Sequence, residues 1–222
     1  LKILIDGEEF IDKDLNIKNL LLKMKNSTKS IKTACPSPHD FLQAFIKNKN
    51  SFVVTLSKEL SGSFNSAMTA VQLLKESQPE KFVHVFNSKS AAVAETLIGI
   101  KIKQLIDQNM SNLEIIEKTN KYISKMKTFF ILESLDNLVK AGRMSKVKAH
   151  LASMLHIYPI MGENGKGEIR LVEKIRGNKK AFNRLVEIIG EHEIDFENRI
   201  LGITHCNALE KAEKLKNAIK EK

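Results

Sequence analysis

The run from Phe52 to Ala67, FVVTLSKELSGSFNSA, constrains the fold more than any other stretch of the chain. Phe52 to Leu56 is short, apolar and rich in β-branched residues, the composition of a buried strand. Ala67, Val71 and Leu74 then recur at helical spacing, with Leu73 beside them. Small hydroxyls and Gly62 lie between. A strand must therefore pass through a tight polar turn directly into a helix, a junction typical of sheets with helices packed on them. The first turn of a helix carries unpartnered N–H groups and a partial positive charge, so the junction also offers donors to an anion. Gly62 permits close approach to the backbone, and Ser61 or Ser63 supplies a helix cap or a hydrogen bond to a ligand oxygen. An ordinary capped strand-to-helix loop would use the same residues.

Around this junction the chain reads in order. Residues 1–11 alternate about Asp6-Gly7, a hairpin-type turn. A short helix is expected over 16–25. Ser37, Pro38 and Asp40 form the signature of a helix start, with Phe41, Leu42, Phe45 and Ile46 on one face. After the 52–56 strand and a helix of 63–76 come a strand at 82–86 and helices at 91–108 and 113–126. This order predicts a mainly parallel sheet with flanking helices. The pattern changes near residue 127. A strand at 128–132 is followed by a short helix closed by Gly142 and a helix over 146–155. An antiparallel hairpin of 157–161 and 168–175 comes next, then a helix to about 190, a strand at 199–204 and a helix over 207–221. The fold class expected is α/β with two domains: 1–126 carrying a parallel sheet, and 127–222 an α+β domain with a mixed sheet.

Composition narrows the function classes. The net charge of +10 comes mainly from lysines scattered along helices, with no arginine-rich arm, no Trp and only two Tyr. This reads as solvated helix faces or a basic docking surface for an acidic protein or anionic membrane, and against nucleic-acid binding. Cys35 and Cys206 form no CxxC pair, and there is no signal peptide or apolar run of membrane-spanning length. A cytoplasmic location is expected. The chain opens at Leu1 and closes at Lys222 in mid-pattern, so both ends read as cut.

Three small-polar clusters follow strands and precede helices: Thr33 with Ser37, Ser57 with Ser61 and Ser63, and Ser88 with Ser90. In a parallel sheet they would share the rim where open α/β sheets bind ligands. Phosphate-binding loop, dinucleotide and nucleophile-elbow motifs are absent. The six histidines show no metal-ligand spacing. His84, inside a strand, reads as a packed residue, and His205 is the histidine that a Ser–His–Asp triad would require. Hydroxyls and backbone donors without an obvious base suit holding a carboxylate or phosphate, with no cofactor and no metal.

The same residues resemble a known family. Thr33-Ala34-Cys35-Pro36-Ser37 is similar to the T-S-Q-P-S motif of the DegV family, and Leu60 to Ala67 to its L-S-G-T-Y-Q-S-A. Leu135 to Ser145 resembles L-D-N-L-x-K-G-G-R-I-S. Ile157-Tyr158-Pro159-Ile160 with Arg176-Gly177-Asn178-Lys179-Lys180-Ala181 resembles I-K-P-I and R-G-x-K-K-A. The resemblance implies a bacterial two-domain carrier that holds a long-chain fatty acid between its domains and presents the carboxylate to a separate kinase subunit. Such a carrier would have no catalysis of its own, and its membrane contact would be transient. By motif match Thr33, Ser61 and Gly62 would bind the carboxylate, and Arg143 and Arg176 would serve the inter-domain region or the kinase. Asn87-Ser88 stands where the family has D-S, and Ala92 to Thr96 replaces a glycine-rich segment, which would reshape the pocket. The alternative is an acyl- or phosphoryl-transfer enzyme using the same rim.

Overall fold

The computed structural model describes residues 1–11, 13, 15–29, 31–144, 157–192 and 199–221. The opening hairpin pairs β1 (Lys2–Ile5) with β2 (Glu8–Ile11), Ile5 lying opposite Glu8. Asp6 and Gly7 take φ of 50° and 90°, the left-handed pair that a two-residue hairpin loop needs to match strand twist. Helix α1 (Ile17–Asn26) is capped by Asn16. Strand β3 (Lys32–Ala34) lies antiparallel to β1, giving the order β2-β1-β3. Helix α2 (Pro38–Phe45) starts on the Ser37–Asp40 capping box.

The parallel ladder joins β4 (Asn50–Thr55) to β5 (Phe82–Asn87), with α3 (Ser63–Ser77) as the crossover that a parallel pair requires. On one face Ala67, Ala70, Val71 and Leu74 of α3 close on Val85 and Phe45. On the other, Phe86 meets Ile98, Ile102 and Leu105 of α4 (Val93–Asp107) and Ile115 and Ile123 of α5 (Asn112–Lys125). The side chain of His84 packs edge-on against Phe86, and burial pushes its imidazole pKa down.

The second half is built on the antiparallel order β6-β7-β8: β6 (Phe129–Ile131), β7 (Ile157–Glu163) and β8 (Ile169–Arg176). One face carries Met161, Ile169 and Leu171 against Leu138 and Val139 of α6 (Asp136–Lys140). The other carries Ile160 and Val172 against Leu185 and Ile188 of α7 (Asn178–His192) and Leu215 of α8 (Leu209–Lys220). The register shifts between Ile160 and Met161.

The expected α/β class with two domains is what forms, with three differences of detail. Among the described residues the parallel pairing is β4–β5 alone, because β3 finds its backbone partners in β1. The second sheet is antiparallel throughout. The strand expected at 199–204 does not form in residues 199–204. A strand needs a ladder partner, and this segment instead lies along α4 and α5. There a Cβ on Gly202 would stand 2.8 Å from Val93 Cγ2, and Arg199 Nη1 donates to Lys125 O at 3.3 Å. The helix expected at 146–155 lies outside the described residues.

Helix α4 also carries Glu95, whose Oε2 is buried with no hydrogen-bond partner. Burial raises its carboxyl pKa above the ordinary 4.5, partly offset by a hydrogen bond from its own backbone. Between the unfolded and folded pKa the folded state holds more protons, so stability falls as pH rises through that window. Glu95→Gln should therefore raise the midpoint of thermal unfolding at pH 7 and leave it unchanged near pH 4. Equal midpoints at both pH values would contradict this account.

Candidate ligand-binding site

The strand-to-helix junction is held by its own backbone. Leu60 N and Ser61 N both donate to Ser57 O at 3.0 Å, and Glu59 N donates to Ser57 Oγ at 3.2 Å. Gly62 is the N-cap of α3 and makes no side-chain cap, so Ser61 substitutes. Its Oγ accepts from Ser63 N at 3.2 Å and lies 2.9 Å from Ser63 Oγ. Cys35 packs beside the turn: a Cβ on Gly62 would meet its Sγ at 3.3 Å, and that sulfur lies 3.7 Å from Ser66 Oγ. A side chain at 62 would thus press on Cys35, which must give by a few tenths of an ångström, so the chain segment that follows Thr33 approaches this turn closely.

The neighbouring loop after β5 is joined to this turn. Asn87 Oδ1 accepts from Lys58 N at 3.2 Å and from Lys89 N at 3.1 Å, and Ser57 N donates to Ser90 O at 2.8 Å. The sequence shows Asn87 only as a departure from a motif, yet its single acceptor bridges the two loops. Ser57 and Ser88 are fully buried and Ser90 nearly so. Their hydroxyls are committed to structure. Ser57 Oγ donates to Gly167 O at 2.7 Å, Ser88 Oγ to Ser90 O at 3.1 Å, and Ser90 Oγ lies 2.7 Å from Thr128 Oγ1. The hydroxyl clusters after β4 and β5 do share one rim, but it serves mainly to fasten the second half of the chain.

The second half reaches the Ser61 turn through Arg143. The Lys140-Ala141-Gly142-Arg143 sequence ends α6 with Gly142 at φ 76°, where Arg143 N bonds Leu138 O and Gly142 N bonds Val139 O. That closure throws Arg143 outward: Nε donates to Leu60 O at 3.2 Å and Nη1 to Ala141 O at 2.6 Å.

Two adjoining cavities result. A small polar one of about 380 Å³ is lined by Lys58 to Gly62, Ala141 to Met144, Glu168 and Ile169. A larger one of about 1430 Å³ runs between Ala91–Ala94 and Leu97 of the first half and Phe129–Leu132, Phe182, Leu185 and Ile189 of the second. Leu60, Arg143, Glu168 and Ile169 line both, so a polar compartment opens beside a mostly apolar one. Hydroxyl and guanidinium donors at one end and hydrocarbon walls at the other suit an amphiphile with an anionic head.

Of the residues singled out from the sequence, Ser61, Gly62 and Arg143 come together in the polar compartment. Thr33 is exposed on β3, opposite Ile3, and lines neither cavity; only the segment following it meets Gly62. Arg176 is exposed at the end of β8, opposite Ile157, and also lines neither. His205 lines the larger cavity, where its Nδ1 accepts from Ala208 N at 3.2 Å, a role in starting α8. Among the described residues there is no cluster of three or more His, Cys, Asp or Glu arranged to hold a metal, and no helix long and apolar enough to cross a membrane.

This architecture has known counterparts. A DegV family protein from Ruminococcus gnavus, solved with vaccenic acid, superposes with a TM-score of 0.94 at 39% identity, covering 99% of this chain and 79% of that one. The Streptococcus pneumoniae Fatty Acid Kinase (Fak) B3 protein, loaded with linoleic acid, gives a TM-score of 0.87 at 32% identity, over 99% of this chain and 78% of that one. A DegV domain-containing protein of Streptococcus gordonii is 40% identical over 191 residues, 85% of this chain and 68% of that protein. A family profile described as "Uncharacterised protein, DegV family" matches residues 1–222 from end to end, and the chain belongs to the DegV family.

Proposed function

We propose that this chain is a carrier for a long-chain fatty acid. Its carboxylate lies at Ser61 and Gly62, and its acyl chain occupies the larger cavity; Thr33, outside both cavities, is included as a further donor on its motif match alone. The observation that carries this reading is the meeting of the two cavities at Leu60 and Arg143, residues that line both the polar and the apolar compartment. The fatty acids held by the R. gnavus and S. pneumoniae relatives support it. We further propose that the carrier is not itself an enzyme. It presents the carboxylate to a separate ATP-using kinase subunit in the cytoplasm, with Arg143 and Arg176 on the presenting side and only transient membrane contact. The domain boundary is proposed at 126/127, between α5 and β6.

A carboxylate anchor makes a direct prediction. Delipidated protein should bind a C18 fatty acid at least about tenfold more tightly than the alcohol of the same length, because hydrogen bonds to a charged group contribute about 1.5–3 kcal/mol. Titration calorimetry with the two ligands checks this. Equal affinities would remove the anchor from the account.

A further inference from the structure

Ser57 does not line either cavity, yet it sits where the Ser61 turn begins and is fully buried. Its hydroxyl makes two bonds. It accepts from Glu59 N inside the turn, at 3.2 Å, and donates to Gly167 O at 2.7 Å, across 110 residues of chain. Gly167 lies in the loop between β7 and β8, and its φ of 92° turns its carbonyl to this contact without a Cβ in the way. A second tie runs from Arg143 Nε to Leu60 O. The turn that ends in Ser61 is therefore braced from the second half of the molecule at its first and penultimate residues. The same joint continues from Ser57 N to Ser90 O and from Ser90 Oγ to Thr128 Oγ1.

We propose that Ser57 is a positioning residue for the ligand site: the Ser61 turn takes its binding shape only while the β7–β8 loop is docked on Ser57. This rests on the fatty-acid reading above. A buried hydroxyl bonded to both the turn and the loop couples two events, closure of the halves and alignment of the anchor. If only the closed form binds tightly, apparent affinity scales with the closed fraction, and ligand in turn favours closure. Removing the Ser57 hydroxyl leaves Gly167 O without its buried donor, which favours the undocked state, where that carbonyl meets water.

The test uses oleate with delipidated full chain, as wild type, Ser57→Ala and Ser57→Cys. Stopped-flow displacement should show oleate leaving Ser57→Ala about tenfold faster than wild type, the closed fraction having fallen by that factor. Association should not slow, since an open cleft admits ligand at least as readily. Small-angle scattering should show apo Ser57→Ala with a larger radius of gyration than apo wild type, returning to the wild-type value at saturating oleate. Apo Ser57→Ala should also keep the wild-type far-UV circular dichroism at the temperature of the scattering, since partial unfolding would expand the chain and be reversed by ligand as well. Ser57→Cys keeps the shape and a weak donor, falls between the two, and serves as the test if the alanine variant does not fold. Wild-type dissociation rates and apo dimensions in both variants would overturn the positioning role while leaving the carrier reading in place. Failure of wild type to bind oleate would overturn both.

Discussion

Replacing Gly167 by alanine should destabilise the chain by about 3–5 kcal/mol, a large part of the total stability of a typical domain. Three costs act together. The φ of 92° is one that L side chains rarely adopt. A Cβ there would overlap Ser57 Oγ and stand 2.9 Å from Lys89 Cα and 3.2 Å from Lys89 C. Two of those three atoms are backbone, which no change of rotamer moves aside. Any displacement also breaks the buried bond from Ser57 Oγ to Gly167 O. Gly165, two residues earlier, is the internal control: its φ is 80°, but nothing lies within 4 Å of a Cβ built on it. Gly165→Ala should therefore cost only the conformational penalty, about 1 kcal/mol. Urea unfolding of both variants separates the terms. Equal midpoints would show that the contact with the first half contributes nothing to stability.

The second large effect falls on binding. Ser61→Ala should weaken fatty-acid binding about 10- to 100-fold with little change in thermal unfolding, because the residue is only partly buried and its lost partners lie within one turn. Thr33→Ala should act on affinity in the same direction and leave the antiparallel pairing with β1 intact, since that pairing is made by backbone. Two donors sharing one carboxylate are not independent, so the double variant should lose less than the product of the single losses. Titration of the three variants with one fatty acid gives the cycle. Unchanged affinity for Ser61→Ala would displace the anchor from the α3 turn. Unchanged affinity for Thr33→Ala alone would leave the anchor on Ser61 and Gly62.

The parts of this fold that could be read from sequence are those in which neighbouring residues satisfy one another. Asp6-Gly7 specifies its hairpin through two left-handed conformations. Ser37 with Asp40 specifies a helix start through reciprocal bonds at 2.8 and 3.2 Å. The helix spacing after Gly62 specifies the buried face of α3. What could not be read are bonds between residues far apart in the chain. The hydroxyls of Ser57, Ser88 and Ser90 look, as residue types, like ligand donors, and only the placement of Gly167 and Thr128 shows where they are spent. The cluster Gly162, Gly165, Gly167 marks a tight hairpin, but nothing local distinguishes Gly167, which must admit Ser57, from Gly165, which faces open space. Thr33 shows the converse. Its place just before the helix start at Ser37 suggests a parallel strand, while its backbone pairs antiparallel with a hairpin thirty residues earlier.

The carrier reading stands or falls on what the protein holds. Protein purified without detergent from its native source, extracted with organic solvent and examined by mass spectrometry, should release close to one long-chain fatty acid per chain. Ser61→Ala prepared the same way should release much less. An extract without fatty acid, unchanged after incubation of the protein with a panel of fatty acids, would contradict the account and leave the two cavities without the ligand proposed for them.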